Sequence, residues 1–277
     1  MRKSKHVGPL IRIVGRSFWL AGELAWGACA VPRKGQFHSE ADLAQARAKW
    51  LQRVSRRLVR VFNLGVYADG SIPSRGVLIS NHLSYLDIVV ICSLVPCVFV
   101  AKREVAQWPV FGWFARVAGT IFTHRERRMG AASGVEEIDR VLESGALIVL
   151  FPEGTSSGGD TVLPFKSALL EPATRTRHPL HTACLRYELE GGNVRDEVCY
   201  WRDMTLLPHL LNLLGKRAVT ARISFQPHES CADRKELSRR LHAQIHHMMN
   251  YVPSPQGAER PTRGEGGRDE QDEVCPA

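Results

Sequence analysis

From residue 61 onward the chain alternates two kinds of apolar pattern. Short, nearly unbroken apolar runs, "NLGVYA", "GVLIS", "CVFVA", "TIFTH", "ALIVLF", "HTACLRY" and "AVTARISF", have the length and β-branched or aromatic content of strands. Between them, segments near 84–94, 109–118, 130–144, 204–214 and 232–250 carry helical patterns. This alternation predicts an α/β fold, a mainly parallel mixed sheet covered by helices on both faces.

The first 60 residues follow another rule. Between Leu10 and Ala30 the three charged residues, Arg12, Arg16 and Glu23, fall on one stripe roughly 40° wide, with Phe18, Trp19, Leu20, Leu24 and Trp26 on the remaining surface. A membrane-spanning helix would carry those charges into hydrocarbon at about 2.5–3.5 kcal/mol each, so a helix lying in the interface, stripe toward the headgroups, is the cheaper geometry. A second helix starts at Ser39, whose spacing to Asp42 fits a capping box, and runs to about Arg60. It sets Trp50, Leu51, Val54 and Leu58 on one face and Lys49, Arg53, Arg56, Arg57 and Arg60 on the other, as suits either an anionic membrane or a solvated face on a packed helix. The expected organisation is therefore 1–60 as N-terminal amphipathic membrane-docking helices, 61–252 as the α/β domain, and 253–277, rich in Pro, Gly and charge, as a disordered tail.

Charge sharpens this division. Residues 1–60 hold 13 Lys+Arg against 3 Asp+Glu, whereas the other 217 residues are balanced at 24 against 25. The local excess points to a polyanion. Nucleic acid is not expected, because no aromatic residues for base stacking are interleaved with the basic ones and no binding motif is present. Seven scattered cysteines without a C-x-x-C pair imply free thiols in a reducing compartment and no zinc framework. The N-terminal apolar run is interrupted by charge and followed by a poor cleavage site, so it is expected to be retained.

Three motifs carry candidate chemistry. In "SNHLSYLD", His82 and Asp87 follow a strand at its C-terminal end, where open α/β sheets place their sites. Ser84 and Asp87 read as a capping box, and the same turn brings Asp87 within reach of one ring nitrogen of His82, leaving the other to take a proton from a hydroxyl. In "FPEGTSSGG", Glu153 sits in a turn of small residues whose backbone could cradle an oxyanion or bind hydroxyls. Gly154–Gly158 also spells the nucleophile-elbow pattern around Ser156, the basis of an alternative serine esterase, but "GGDTVLP" is a poor start for the helix an elbow needs. Arg125 and Lys102, just past or at the ends of strands, would suit a phosphate. His242 with His246 or His247 has helical i, i+4 or i+5 spacing but no suggested carboxylate or cysteine partner, and no metal is assigned.

"NHLSYLD", "GTIFTHR", "FPEGTS" and the "HPL" of "TRHPLHTACLRY" occur in the order and approximate spacing of the four blocks of the glycerolipid acyltransferases. Over about residues 60–225 the chain resembles the bacterial 1-acylglycerol-3-phosphate (lysophosphatidate) acyltransferases. The resemblance implies direct attack of a lysophosphatidate hydroxyl on the thioester of acyl-CoA or acyl-carrier protein, with no acyl-enzyme and no cofactor beyond that co-substrate. It implies His82 as general base, Asp87 as its orienting partner, Arg125 with Lys102 at the acceptor phosphate, Glu153, Gly154 and Thr155 at the acceptor or glycerol backbone, and Pro179 shaping the donor site. Membrane lipids are then partners, and the expected location is the cytoplasmic face of the inner membrane, peripheral or monotopic. A lyso-aminolipid such as lyso-ornithine lipid is the alternative acceptor. A non-catalytic lipid-binding protein is a remoter alternative.

Overall fold

The computed structural model describes residues 8–108, 111–123, 137–175 and 177–250. Arg125 and the expected tail 253–277 lie outside the described residues. All seven expected strands are present: β1 Leu64–Asp69, β2 Gly76–Ser80, β3 Cys97–Lys102, β4 Ile121–Thr123, β5 Leu147–Leu150, β6 Leu180–Glu188 and β7 Val219–His228. They form one sheet in the order β1-β7-β6-β2-β5-β3-β4, with every pair parallel except β6 and β7.

The helices are α1 Pro9–Cys29, α2 Glu40–Val61, α3 Leu86–Leu94, α4 Phe111–Val117, α5 137–143, α6 Glu171–Arg175, α7 Val194–Glu197, α8 Leu206–Gly215 and α9 Arg234–Asn250. β2 and β5 are buried at every position, because alternate residues face two separate cores. Leu78, Leu147 and Val149 join α3 and α8 on one side. Val77, Ile79, Ile148 and Leu150 meet α5 and α9 on the other.

The N-terminal helices differ from expectation in which faces they bury. The α1 stripe turns inward, toward the protein. Arg12 Nε donates to the Gly215 carbonyl at 2.9 Å, and Arg16 donates to the carbonyls of Leu214 at 3.1 Å and Lys216 at 2.6 Å. The C-terminal carbonyls of a helix lack intrahelical partners, and the two guanidinium groups supply donors to those of α8. Glu23 is buried and accepts from Arg57 and from Trp19 Nε1. Burial opposes its ionisation, yet these donors hold its carboxyl below the ordinary range. Leu10, Ile11, Val14 and Phe18 consequently face outward, with Phe18 76% exposed.

On α2 the Ser39 cap forms as expected, accepting the Asp42 N–H at 3.0 Å. Its apolar face is not available to lipid. Trp50 is fully buried, stacks on Phe114 and donates Nε1–H to the Gly27 carbonyl at 3.0 Å, and Val54 lies in the same cluster. Burying side chains of this size contributes on the order of 2 kcal/mol each, which decides the orientation of the helix.

Candidate active site

β2 ends at Ser80, opposite Ala183, while β6 continues to Glu188 and overhangs that end of the sheet. Asn81 bridges the step. Its fully buried amide donates to the Leu185 carbonyl at 2.9 Å and accepts the Leu185 N–H at 2.8 Å, extending the ladder with a side chain. The chain then leaves the sheet at His82.

His82 Nδ1 lies 2.7 Å from Asp87 Oδ2. The imidazole is 22% exposed and the carboxylate is wholly buried in the first turn of α3. The same Oδ2 accepts the N–H groups of Leu83 at 2.7 Å and Ser84 at 3.1 Å, and Oδ1 accepts the Tyr187 hydroxyl at 2.7 Å. Of the expected capping box only half forms. Asp87 N–H goes to the Ser84 carbonyl at 3.1 Å, Ser84 Oγ is buried without a hydrogen-bond partner among the described residues, and α3 begins at Leu86. The carboxylate is drawn instead to the imidazole and the loop amides. With Nδ1–H held by Asp87, Nε2 is the ring nitrogen that can accept a proton, the arrangement of a general base.

The imidazole plane is also fixed. Phe151, the residue after β5, stacks on it with centroids 4.2 Å apart and planes 15° from parallel, and Phe99 of β3 stacks behind Phe151 at 5.9 Å. Glu153 follows two residues later and is 1% exposed. Its oxygens accept backbone N–H groups, His82 at 2.9 Å and Leu163 at 3.1 Å, so it clamps the histidine loop from behind. Burial raises its carboxyl to about 7, against the pull of those two donors. Gly154 adopts φ +66°, a left-handed conformation that favours glycine, and Thr155 stands exposed beside it.

Ser156 is not a nucleophile elbow. Its hydroxyl donates to the Tyr200 carbonyl, its φ is not positive, and no helix follows it. The Ser157 N–H donates to the His82 carbonyl at 2.9 Å and the Tyr200 N–H to the Leu83 carbonyl at 2.8 Å. Segment 198–201 thus stitches both site loops together.

Lys102 ends β3 on the same sheet end as His82. In register, Leu78, Val149 and Phe99 are level, which sets Lys102 one residue lower than His82 and two strands away, about 10 Å laterally. Pro179 is elsewhere. Its carbonyl accepts the Val77 N–H at 2.9 Å at the start of β2, the opposite end of the strand, about 16 Å from His82 by strand rise. The position demands glycine, since Gly76 has φ +92° and any Cβ there would collide with that carbonyl. Pro179 caps the far edge of the β2–β6 pair and is not brought together with His82. His242 Nε2 donates to the Val162 carbonyl at 3.2 Å, as a packing residue would, and no group of three metal-ligating side chains occurs among the described residues.

Sequence reading missed Tyr187, Phe151 and the bonding role of Asn81. Tyr187 carried a signal, since it lies in register with Ala183 and Leu185 on the inward face of "HTACLRY", and an inward tyrosine hydroxyl needs an acceptor.

The mainly parallel sheet thus carries a histidine–carboxylate pair at the C-terminal end of β2, an arrangement that can activate a hydroxyl. The family described as Acyltransferase matches residues 63–186, from just before β1 into β6. The lyso-ornithine lipid O-acyltransferase of Rhizobium meliloti (strain 1021) is 33% identical over 220 residues, covering 73% of this chain and 75% of that protein. The 1-acyl-sn-glycerol-3-phosphate acyltransferase of Neisseria meningitidis serogroup B is 29% identical, covering 65% and 72%. The crystal structure of the 1-acyl-sn-glycerophosphate acyltransferase PlsC from Thermotoga maritima superposes with a TM-score of 0.63 at 20% identity, over 87% of this chain and 94% of that one, and shares the fold. The chain belongs to the acyltransferase family and is an enzyme of that class.

Proposed function

We propose that the enzyme moves an acyl group from a thioester, acyl-CoA or acyl-carrier protein, to the free hydroxyl of a lysolipid, in lipid biosynthesis. The observation that carries this reading is the 2.7 Å contact between His82 Nδ1 and a buried Asp87, with Nε2 directed away from it. Nε2 takes the hydroxyl proton as the oxygen attacks the thioester carbonyl, the C–S bond breaks, and the imidazolium returns the proton to the departing thiolate. Asp87 holds the tautomer and stabilises the transient positive charge. Glu153 positions the loop, and Gly154 and Thr155 border the space where the acceptor lies.

Lyso-ornithine lipid is the favoured acceptor, since the relative carrying that name matches at 33% identity over three quarters of its length. Lysophosphatidate is the second reading, supported by the Neisseria relative and by the cations Lys102 and Arg125 at or past strand ends. Purified enzyme given labelled acyl-CoA and each acceptor separately decides between them. Preferential transfer to lyso-ornithine lipid upholds the first, and transfer confined to lysophosphatidate replaces it with the second.

Such an acceptor resides in a bilayer, and no described helix is long and apolar enough to cross one. The outward apolar face of α1, Leu10, Ile11, Val14 and Phe18, fits the interface of the cytoplasmic leaflet of the inner membrane, and the exposed Lys49, Arg53 and Arg56 of α2 add attraction to anionic headgroups.

A further inference from the structure

We infer that Tyr187 is a positioning residue for the catalytic base, acting through Asp87 to hold the imidazole in its working orientation and set the pH at which it accepts a proton. The inference rests on the proposal that His82 is that base. The carboxylate of Asp87 has two oxygens with separate tasks. Oδ2 faces the imidazole and two loop amides, and Oδ1 accepts the Tyr187 hydroxyl at 2.7 Å. The two loop amides fix Oδ2, and the hydroxyl on Oδ1 adds a fourth point that sets the tilt of the carboxylate plane and hence the line along which it holds the imidazole.

Tyr187 is suited to this by its place in the fold. β6 runs past the end of β2, and Asn81 fastens Leu185, two residues earlier, to the base loop through two hydrogen bonds. Tyr187 therefore points from a fixed strand into the underside of the site, and its ring is buried in the core shared by α3 and β6. Burial and the adjacent Asp87 charge raise its hydroxyl well above the ordinary range, so it donates at every working pH. Other titratable groups face this pair. Cys199, raised to about 12 by burial, and Tyr85, raised further for the same reason, stay neutral, and Glu153 titrates near 7 on the far side of His82.

The electrostatic consequence has a definite sign. A hydrogen bond on Oδ1 withdraws negative charge from Oδ2, so its removal favours the imidazolium and keeps the base protonated to higher pH.

The test is Tyr187→Phe in the full chain, assayed with acyl-CoA and lysolipid across pH 5–9, beside wild type and His82→Ala. The expected result is a kcat lower by roughly tenfold, part of the 10²–10⁴ that a positioned base supplies. KM values for both substrates stay within about twofold, and the acidic limb of kcat/KM moves up by about half a pH unit or more. Glu153 is present in both enzymes and does not create the difference. An unmoved limb, with or without a fall in kcat, assigns Tyr187 to packing alone and overturns the inference. Wild-type activity in His82→Ala would instead overturn the reading on which it rests. Should the phenylalanine variant not fold, Tyr187→Met fills the site without a hydroxyl and is read by the same criteria.

Discussion

The carboxylate of Glu153 reaches His82 through the backbone, accepting its N–H at 2.9 Å, while Asp87 holds the ring. Two acidic residues therefore restrain one histidine from opposite sides, and their environments differ. Asp87 meets four donors, whereas Glu153 meets two and lies in a less polar setting that raises it to about 7.

That rise links Glu153 to stability. Its ordinary value is 4.5, so between about pH 4.5 and 7 the folded state holds a proton that the unfolded chain releases. The contribution is complete below pH 4.5 and is lost as pH rises through 7, to a total on the order of 3 kcal/mol. Urea denaturation from pH 4.5 to 7.5 should show wild type losing that amount relative to Glu153→Gln. Parallel curves for the two proteins would place the ionisation elsewhere.

Ser156 provides a check on the competing chemistry. Its hydroxyl is spent on the Tyr200 carbonyl, so Ser156→Ala should cost about 1 kcal/mol of stability and leave acyl transfer within about threefold of wild type. Loss of all activity in a folded Ser156→Ala protein, with His82→Ala unaffected, would restore the esterase reading.

For the membrane, the outward face of α1 supplies a clean variant. Phe18 is 76% exposed, so Phe18→Asp should alter stability by no more than about 0.5 kcal/mol. Removing its ring from the interface should weaken sedimentation with anionic vesicles roughly 10- to 100-fold. Binding equal to wild type would show that another surface docks.

Much of this was legible in the sequence, and the exceptions share a cause. The seven strands and the longer helices follow from local apolar pattern, and His82 with Asp87 follows from spacing on a loop. What local pattern does not contain is the partner of each face. The α1 stripe was read against lipid because the orphan carbonyls of α8, about 200 residues away, are invisible from α1 itself. The separation of Pro179 from His82 is likewise hidden, because a motif's order along the chain does not reveal which end of a strand it occupies. Tyr187 was overlooked because its acceptor lies 100 residues earlier.

The chemistry stands most directly on His82. Wild type and His82→Ala, matched for thermal transition, are each given radiolabelled acyl-CoA and lysolipid in mixed micelles, and the rate of acyl-lipid formation is measured. The alanine variant should be slower by about 10²–10⁴, with its fold intact. Transfer at the wild-type rate would show that a group other than this imidazole takes the acceptor's proton.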